Sequence, residues 1–273
     1  RDCLLSRGLG DVYKRQSKFC GEMKIVAVTQ ARYGSTRLPA KVLKKVGDET
    51  LLDIHLQRIL KATKITALVV ATTIEEGSDE IVRVAQRNGI GCYRGSINDV
   101  LERFYFAVKD MSPDYVVRVT SDCPLIDPHV IDHVITTCIS AGCDYASNTL
   151  KPTYPDGIDT EVFRFSALER AYNEALLKSE REHVTPYIKK NSSFNGGTLF
   201  TSVNVESPIE SSEYRITVDT QEDFMVVKEL LENVGKEADW IDYIKYLDSN
   251  QRVRDLNNSH MRDEGYAKSL LND

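Results

Sequence analysis

The chain has 273 residues, 35 Lys plus Arg against 41 Asp plus Glu, a formal charge of −6, 41% hydrophobic and 28% charged residues. This composition excludes the disordered and fibrous classes, and the mild acidity argues against a nucleic-acid or anionic-membrane partner, which wants a net basic face. No apolar run reaches the roughly 18 residues of a membrane span, and six cysteines without a CxxC pair read as reduced cytoplasmic thiols rather than a disulfide framework.

Residues 1–22 are polar, lack sustained periodicity and end before Met23, after which a clean apolar strand begins. Met23 is expected to be the natural start and 1–22 a non-native or disordered leader, a short N-terminal arm being the alternative. Residues 24–30 (KIVAVTQ) predict a buried strand, and 31–47 a long loop of Arg, Lys, Gly and Pro. A helical stripe covers 50–62 and a second strand 66–71. A helix follows over 78–88, with Ser78 as its candidate cap and Gly89 as its stop. Next come a strand at 90–93, a helix over 98–109 capped by Asp99, and a strand at 115–119. A helix over 128–140 opens with Pro128 and Asp127 as its cap. Residues 144–147 suggest one more short strand.

Strand and helix alternate about four times, which predicts an α/β fold with a mainly parallel sheet and helices on both faces. Ligands then belong beyond the carboxyl ends of the strands. Residues 148–159 (NTLKPTYPDGID) break the rhythm as a rim loop. Beyond them we expect strands at 160–165, 198–205 and 214–218, and helices over 166–178, 182–190, 219–233 and 238–247. The tail after Gln251 is polar and poorly periodic. The chain is expected to divide into a core domain over 23–234, interrupted at 148–205, and a C-terminal helical appendage over 235–273.

Three segments carry chemistry. The first, Ala31-Arg32-Tyr33-Gly34-Ser35-Thr36-Arg37-Leu38-Pro39-Ala40-Lys41, follows strand one. Gly34 permits a tight turn with an unshielded amide. Arg32 and Arg37 can fork around phosphoryl oxygens, and Lys41 adds a point charge. No GxxxxGK[ST] occurs, so it is not a Walker loop; the bland alternative is a solvated basic loop. In the second, Asp122 of RVTSDCPLIDP sits just past a buried strand, where it can reach a ligand crevice and magnesium. Cys123 beside it has no His nearby in sequence and is not expected to act as a nucleophile. In the third, Asp219 of YRITVDTQEDF ends a β pattern before a helix, where it or Thr220 could serve as a helix cap. Glu222 and Asp223 are expected to decorate the first helical turn. The histidines are scattered; His129 and His133 share a helical spacing without a third ligand, and surface or rim positions are expected.

The stretch QARYGSTRLPAKVL at 30–43 closely resembles the N-terminal signature of the cytidylyltransferases that activate acidic sugars, the acylneuraminate and 3-deoxy-manno-octulosonate enzymes. Its nearest branch is that of the spore-coat polysaccharide cytidylyltransferase-like proteins. The NDVLERF, YPDGIDTEVF, REHVTPY and HMRDEGYAKSL segments are also branch-like. The resemblance implies a Rossmann-like, three-layer nucleotidyltransferase fold that transfers CMP from CTP to a nonulosonate or similar sugar acid. It places Ala31, Arg32, Gly34, Ser35, Arg37 and Lys41 on CTP, with Ala31 and Arg32 near the base, and assigns magnesium to Asp122 and Asp219. Asp159, Glu161, Arg181 and His183 become the sugar-side candidates, a loop and strand edge being the alternative for the first two. Arg103 leans toward the nucleotide. A cytoplasmic homodimer is expected, with 148–205 as its dimer and sugar-side region. A nucleotide-sugar-dependent glycosyltransferase is the alternative activity, and an inactive scaffold of polysaccharide assembly a third reading.

Overall fold

The computed structural model describes residues 23–35, 37–260, 262, 264–271 and 273; the expected leader over 1–22 and Thr36 of the basic loop lie outside them. Among the described residues nine strands form two sheets. The strands are β1 (Ile25–Gln30), β2 (Lys45–Val46), β3 (Glu49–Thr50), β4 (Ala67–Thr73), β5 (Gly91–Gly95), β6 (Tyr115–Thr120), β7 (Tyr145–Ser147), β8 (Glu161–Arg164) and β9 (Ser202–Asn204). Seven make one sheet in the order β5-β4-β1-β6-β8-β7-β9, and β2 and β3 pair as a small hairpin. β1 pairs in parallel with β4 and β6, β4 with β5, and β7 with β9. Only β8 runs against its neighbours β6 and β7. The parallel core and its flanking helices form the three-layer, Rossmann-like architecture expected of a nucleotidyltransferase.

Alternation along the strands builds the two cores. From β1, Ile25 and Ala27 face one side, while Val26 and Val28 face the other. The first side is covered by α1 (Leu51–Ile59), α2 (Ser78–Arg87), α4 (Pro128–Ala141), α8 (Gln221–Asn233) and α9 (Trp240–Ser249). The second is covered by α3 (Val100–Val108), α5 (Phe165–Glu174) and α7 (Pro186–Lys190). The short α6 (Lys178–His183) precedes α7, and α10 (Gln251–Arg254) and α11 (Glu264–Leu270) follow α9. Each fully buried Leu, Ile, Val or Phe contributes roughly 1.5–3 kcal/mol, so the two apolar layers fix the sheet and hence the strand ends. Trp240, Tyr243 and Leu247 of α9 sit in the same core as β1 and α1. Among the described residues no helix is long and apolar enough to cross a membrane.

Local chemistry sets several boundaries. Asp127 caps α4 by accepting from the amides of His129 and Val130, Pro128 occupies the first turn, and Gly142 closes the helix at φ +62°. Asp99 caps α3. Ser78, however, is not a cap: Gly77 holds that position, and the Ser78 hydroxyl pairs with Thr73 Oγ1 at 2.8 Å. The helix expected over 182–190 is broken at Val184, whose φ of +71° lies outside the helical range, and Pro186 then opens a new helix. The strand expected at 214–218 is extended but unladdered, with one bridge from Arg215 to Asp156. Its neighbour is a turn rather than a strand. Gly157 lies at φ +118° in that turn, and a side chain there would come within 2.7 Å of the Ile216–Thr217 backbone. The strand expected at 198–205 is only three residues long.

Candidate active site

Three loops meet beyond the carboxyl ends of β1 and β6. The first is pinned from below: Ala31, Leu38 and Val42 are buried in the core, and the Ala31 amide donates to Ala71 O. Arg32, Gly34 and Arg37 therefore stay exposed, with Ser35 half-buried. The Gly34 amide donates to Glu75 Oε1 at 2.6 Å, so it already holds an anion. Ala40 adopts a left-handed φ of +51°, a conformation that costs an Ala about 1 kcal/mol. It precedes the 3-10 turn Lys41–Leu43, which carries Lys41 inward.

The second loop is tied at successive carbonyls. Asp122 O accepts from Val218 N at 2.7 Å and Thr217 Oγ1 at 2.9 Å. Cys123 O is bound to His55 Nδ1 at 2.8 Å, and Ile126 O accepts from Arg58 Nε at 2.7 Å. Ser121 Oγ donates to Gln30 O at the end of β1.

Lys41 Nζ lies 3.2 Å from Asp122 Oδ2 and 2.7 Å from Asp219 Oδ1. Burial opposes its charge, but the two carboxylates outweigh that and raise its pKa. Burial likewise opposes ionisation of Asp122, yet Lys41, with help from Arg118, holds its carboxyl well below the ordinary range. Arg37 reaches Asp219 Oδ2 at 3.2 Å. Arg215 reaches the same oxygen at 3.2 Å, and also pairs with Asp156 and Asp223. Asp223 is fully buried and accepts from the Asp219 and Thr220 amides. It is thus more than a surface acid on the first turn of α8: it anchors Arg215 and the Asp219 backbone. Asn257 braces both partners through Asp223 Oδ1 and Arg215 O.

Two carboxylates converge on one cation here. Magnesium takes one or two protein carboxylates and leaves its other positions to phosphate and water, so Asp122 and Asp219 fit it. Among the described residues no group of three or more His, Cys, Asp or Glu converges on a metal position, as an all-protein cage would require. Cys123 is buried, and burial together with Asp122 and Asp159 pushes its thiol well up, so it stays protonated.

The other sequence candidates stand elsewhere. Asp159 pairs with Arg262. Glu161 is only 2% exposed, bound by Arg118, Lys189, Tyr145 and Thr185. Arg181 pairs with Asp99 at 2.6 Å, and His183 Nε2 with Ser269 Oγ at 2.8 Å. Arg103 is buried beneath Gly95 and donates to Ser96 O. A cavity of about 570 Å³ lies between α6, α7 and α11, lined by none of Lys41, Asp122 or Asp219.

Sequence reading missed Arg118, Lys189, Arg215, Asp156 and His55. His55, expected at the surface or rim with the other histidines, is instead fully buried between Thr29 Oγ1 and Cys123 O. Burial lowers its pKa to about 4, below the ordinary 6.5 of an exposed chain. The neutral ring is thus favoured by folding, and its contribution is full above about pH 6.5 and lost as pH falls toward 4. We predict a loss of about 2 kcal/mol between about pH 7 and about pH 5 from this group. Urea unfolding of the wild type and of His55→Gln at both pH values checks it: the variant loses that part of the dependence, and an unchanged dependence contradicts the assignment.

The fold and the paired carboxylates beside a basic loop define a nucleotidyltransferase. The cytidylyltransferase family matches residues 26–261, and the chain belongs to it. It is 34% identical over 222 residues to the spore coat polysaccharide biosynthesis protein SpsF of Bacillus subtilis, covering 79% of this chain and 89% of that one. A 3-deoxy-manno-octulosonate cytidylyltransferase of Elusimicrobium minutum is 32% identical over 136 residues, 49% of this chain and 53% of that one. The structure of a cytidylyltransferase from Leptospira borgpetersenii superposes with a TM-score of 0.80 at 32% identity, covering 88% of this chain and 99% of that one.

Proposed function

We propose that the chain transfers CMP from CTP to a nonulosonate or similar acidic sugar. The observation that carries this reading is the convergence of Lys41, Asp122 and Asp219 below the basic loop. A sugar hydroxyl oxygen forms a bond to the α-phosphorus, the bond to the β-phosphate oxygen breaks, pyrophosphate leaves, and the hydroxyl proton passes to solvent. Ala31, Arg32, Gly34 and Ser35 hold the nucleotide. Arg37 and Lys41 stabilise charge that grows on the departing pyrophosphate. Asp122 and Asp219 hold magnesium, which supplies positive charge to the phosphoryl oxygens when bound. Asp159, Glu161, Arg181 and His183 remain on the sugar side, with Glu161 acting through the cations it holds. Most of the rate comes from positioning and preorganised charge.

The enzyme works as a cytoplasmic homodimer. Leu176 at 88% exposure, with Leu177, Phe194 and Leu199 also exposed, supports 148–205 as the contact region. Residues 235–273 extend the catalytic domain over 23–234, with Trp240, Tyr243 and Leu247 packed into its core.

The test is pyrophosphate release with magnesium, offering CTP, UTP, GTP and ATP against nonulosonic acids, 3-deoxy-manno-octulosonate and neutral sugar phosphates. We expect release with CTP and a sugar acid only. Release of a nucleotide from a preformed nucleotide sugar, without pyrophosphate, would replace this reading with a glycosyltransferase. Failure to bind any triphosphate would replace it with a scaffold.

A further inference from the structure

The sheet carries a second charged cluster, one strand over from Asp122. In the β6–β8 register Arg118 stands opposite Glu161. Arg118 Nη1 donates to Glu161 Oε2 at 2.5 Å, and Lys189 Nζ lies 3.0 Å from Glu161 Oε1. Tyr145 OH and Thr185 Oγ1 also donate to Oε1, at 2.5 and 2.8 Å. With four donors, this carboxylate has little capacity left. Burial opposes its charge, yet Lys189 and Arg118 lower its pKa to about 2, so it is an anion at neutral pH.

Two cations share this one buried carboxylate, and Arg118 also acts on Asp122. The donors are also in excess. Arg118 Nε is buried with no acceptor among the described residues, although a buried donor without a partner costs roughly 1–3 kcal/mol. The Lys189 side chain is 32% exposed, so the cluster is open on that side. Lys189 also reaches Thr149 Oγ1 at 3.5 Å, in the rim loop after β7.

We propose that Arg118 and Lys189, held apart by Glu161, form the subsite for the carboxylate of the sugar acceptor. The inference rests on the reading of the preceding subsection and names what that reading left open, the groups that select an acid. In a 2-keto sugar acid the anomeric hydroxyl and the carboxylate share one carbon. A hydroxyl placed at the α-phosphorus near Asp122 therefore brings its carboxylate within a few ångströms. Arg118 lies on that strand, four residues before Asp122, and its charge is felt at the Asp122 carboxyl. A carboxylate there meets the part-exposed Lys189 ammonium and the accessible edge of the Arg118 guanidinium. Glu161 is a positioning residue in this account, since it aims two cations without itself meeting the sugar.

The variant to test is Lys189→Gln, because Lys189 is at the open edge and Arg118 still neutralises Glu161. Loss of one charge-assisted hydrogen bond corresponds to roughly a 10- to 100-fold effect. With 3-deoxy-manno-octulosonate as probe, we expect the acceptor KM to rise by about that factor, while the CTP KM moves less than about threefold. The preference for the acid over its C1 amide should shrink with it, and Lys189→Arg should restore both. An unchanged acceptor KM and acid preference would overturn the subsite. A second arm needs no turnover: crystals of the full chain are soaked in bromide and read by anomalous scattering. Bromide against Lys189 Nζ and the Arg118 guanidinium, lost in Lys189→Gln, supports the subsite. Bromide at Lys41 and Arg37 but not here overturns it. A chain that binds CTP yet turns over no sugar acid fails the broader reading, and the bromide arm then decides the subsite alone.

Discussion

Asp122→Asn is expected to lower kcat/KM for pyrophosphate release by roughly 10²–10³-fold while leaving the protein folded. The substitution keeps the side-chain shape and removes one negative charge. The main-chain carbonyl of residue 122 still accepts from Val218 N and Thr217 Oγ1, so the loop keeps its ties. Lys41 retains Asp219 at 2.7 Å as its counter-ion, so no buried charge is stranded. What is lost is half of the carboxylate pair proposed to hold magnesium and part of the charge that sets Lys41. Turnover measured beside urea unfolding separates the two effects. Near-normal turnover in a folded variant would remove Asp122 from the reaction.

The largest effect on stability is expected at Arg215. Its side chain is 8% exposed and serves Asp156, Asp219 and Asp223 together. Replacing it with Met strands the fully buried Asp223 beside two further carboxylates. Breaking a buried ion pair from one side costs about 3–5 kcal/mol. We expect that loss in the urea unfolding free energy of Arg215→Met, with partial recovery on adding Asp223→Asn. A loss below about 1 kcal/mol would show that water screens the cluster. Lower turnover is also expected, because Arg215 and Asp223 orient the Asp219 carboxylate and backbone.

The parallel sheet was legible because buried parallel strands write continuous apolar runs, as in IVAVTQ at β1 and YVVRVT at β6. The two carboxylates were legible because each ends such a run. Residues 214–218 misled for the same reason: Ile216 and Val218 are buried as strand residues would be, but their neighbour is the Gly157 turn, and a ladder needs a second strand. Arg118 and Glu161 were harder to read. Arg118 looks like an ordinary charged residue, and Glu161 is a candidate only through the resemblance, until the β6–β8 register puts them opposite each other; that pairing is a long-range fact. Lys189 joins them only because the chain breaks at Val184 and Pro186 starts α7 anew. His55 was hidden because a histidine within a helical stripe carries no mark of the loop carbonyl it braces.

The most direct test follows the α-phosphate. The full chain, with magnesium and a nonulosonic acid or 3-deoxy-manno-octulosonate, is given CTP labelled at that phosphorus, and the products are separated by anion exchange. The account predicts that the label moves into a CMP–sugar acid conjugate, with one pyrophosphate released for each conjugate formed. Label that remains in CTP across the sugar acids, while a preformed CMP-sugar is consumed and CMP released, would contradict it.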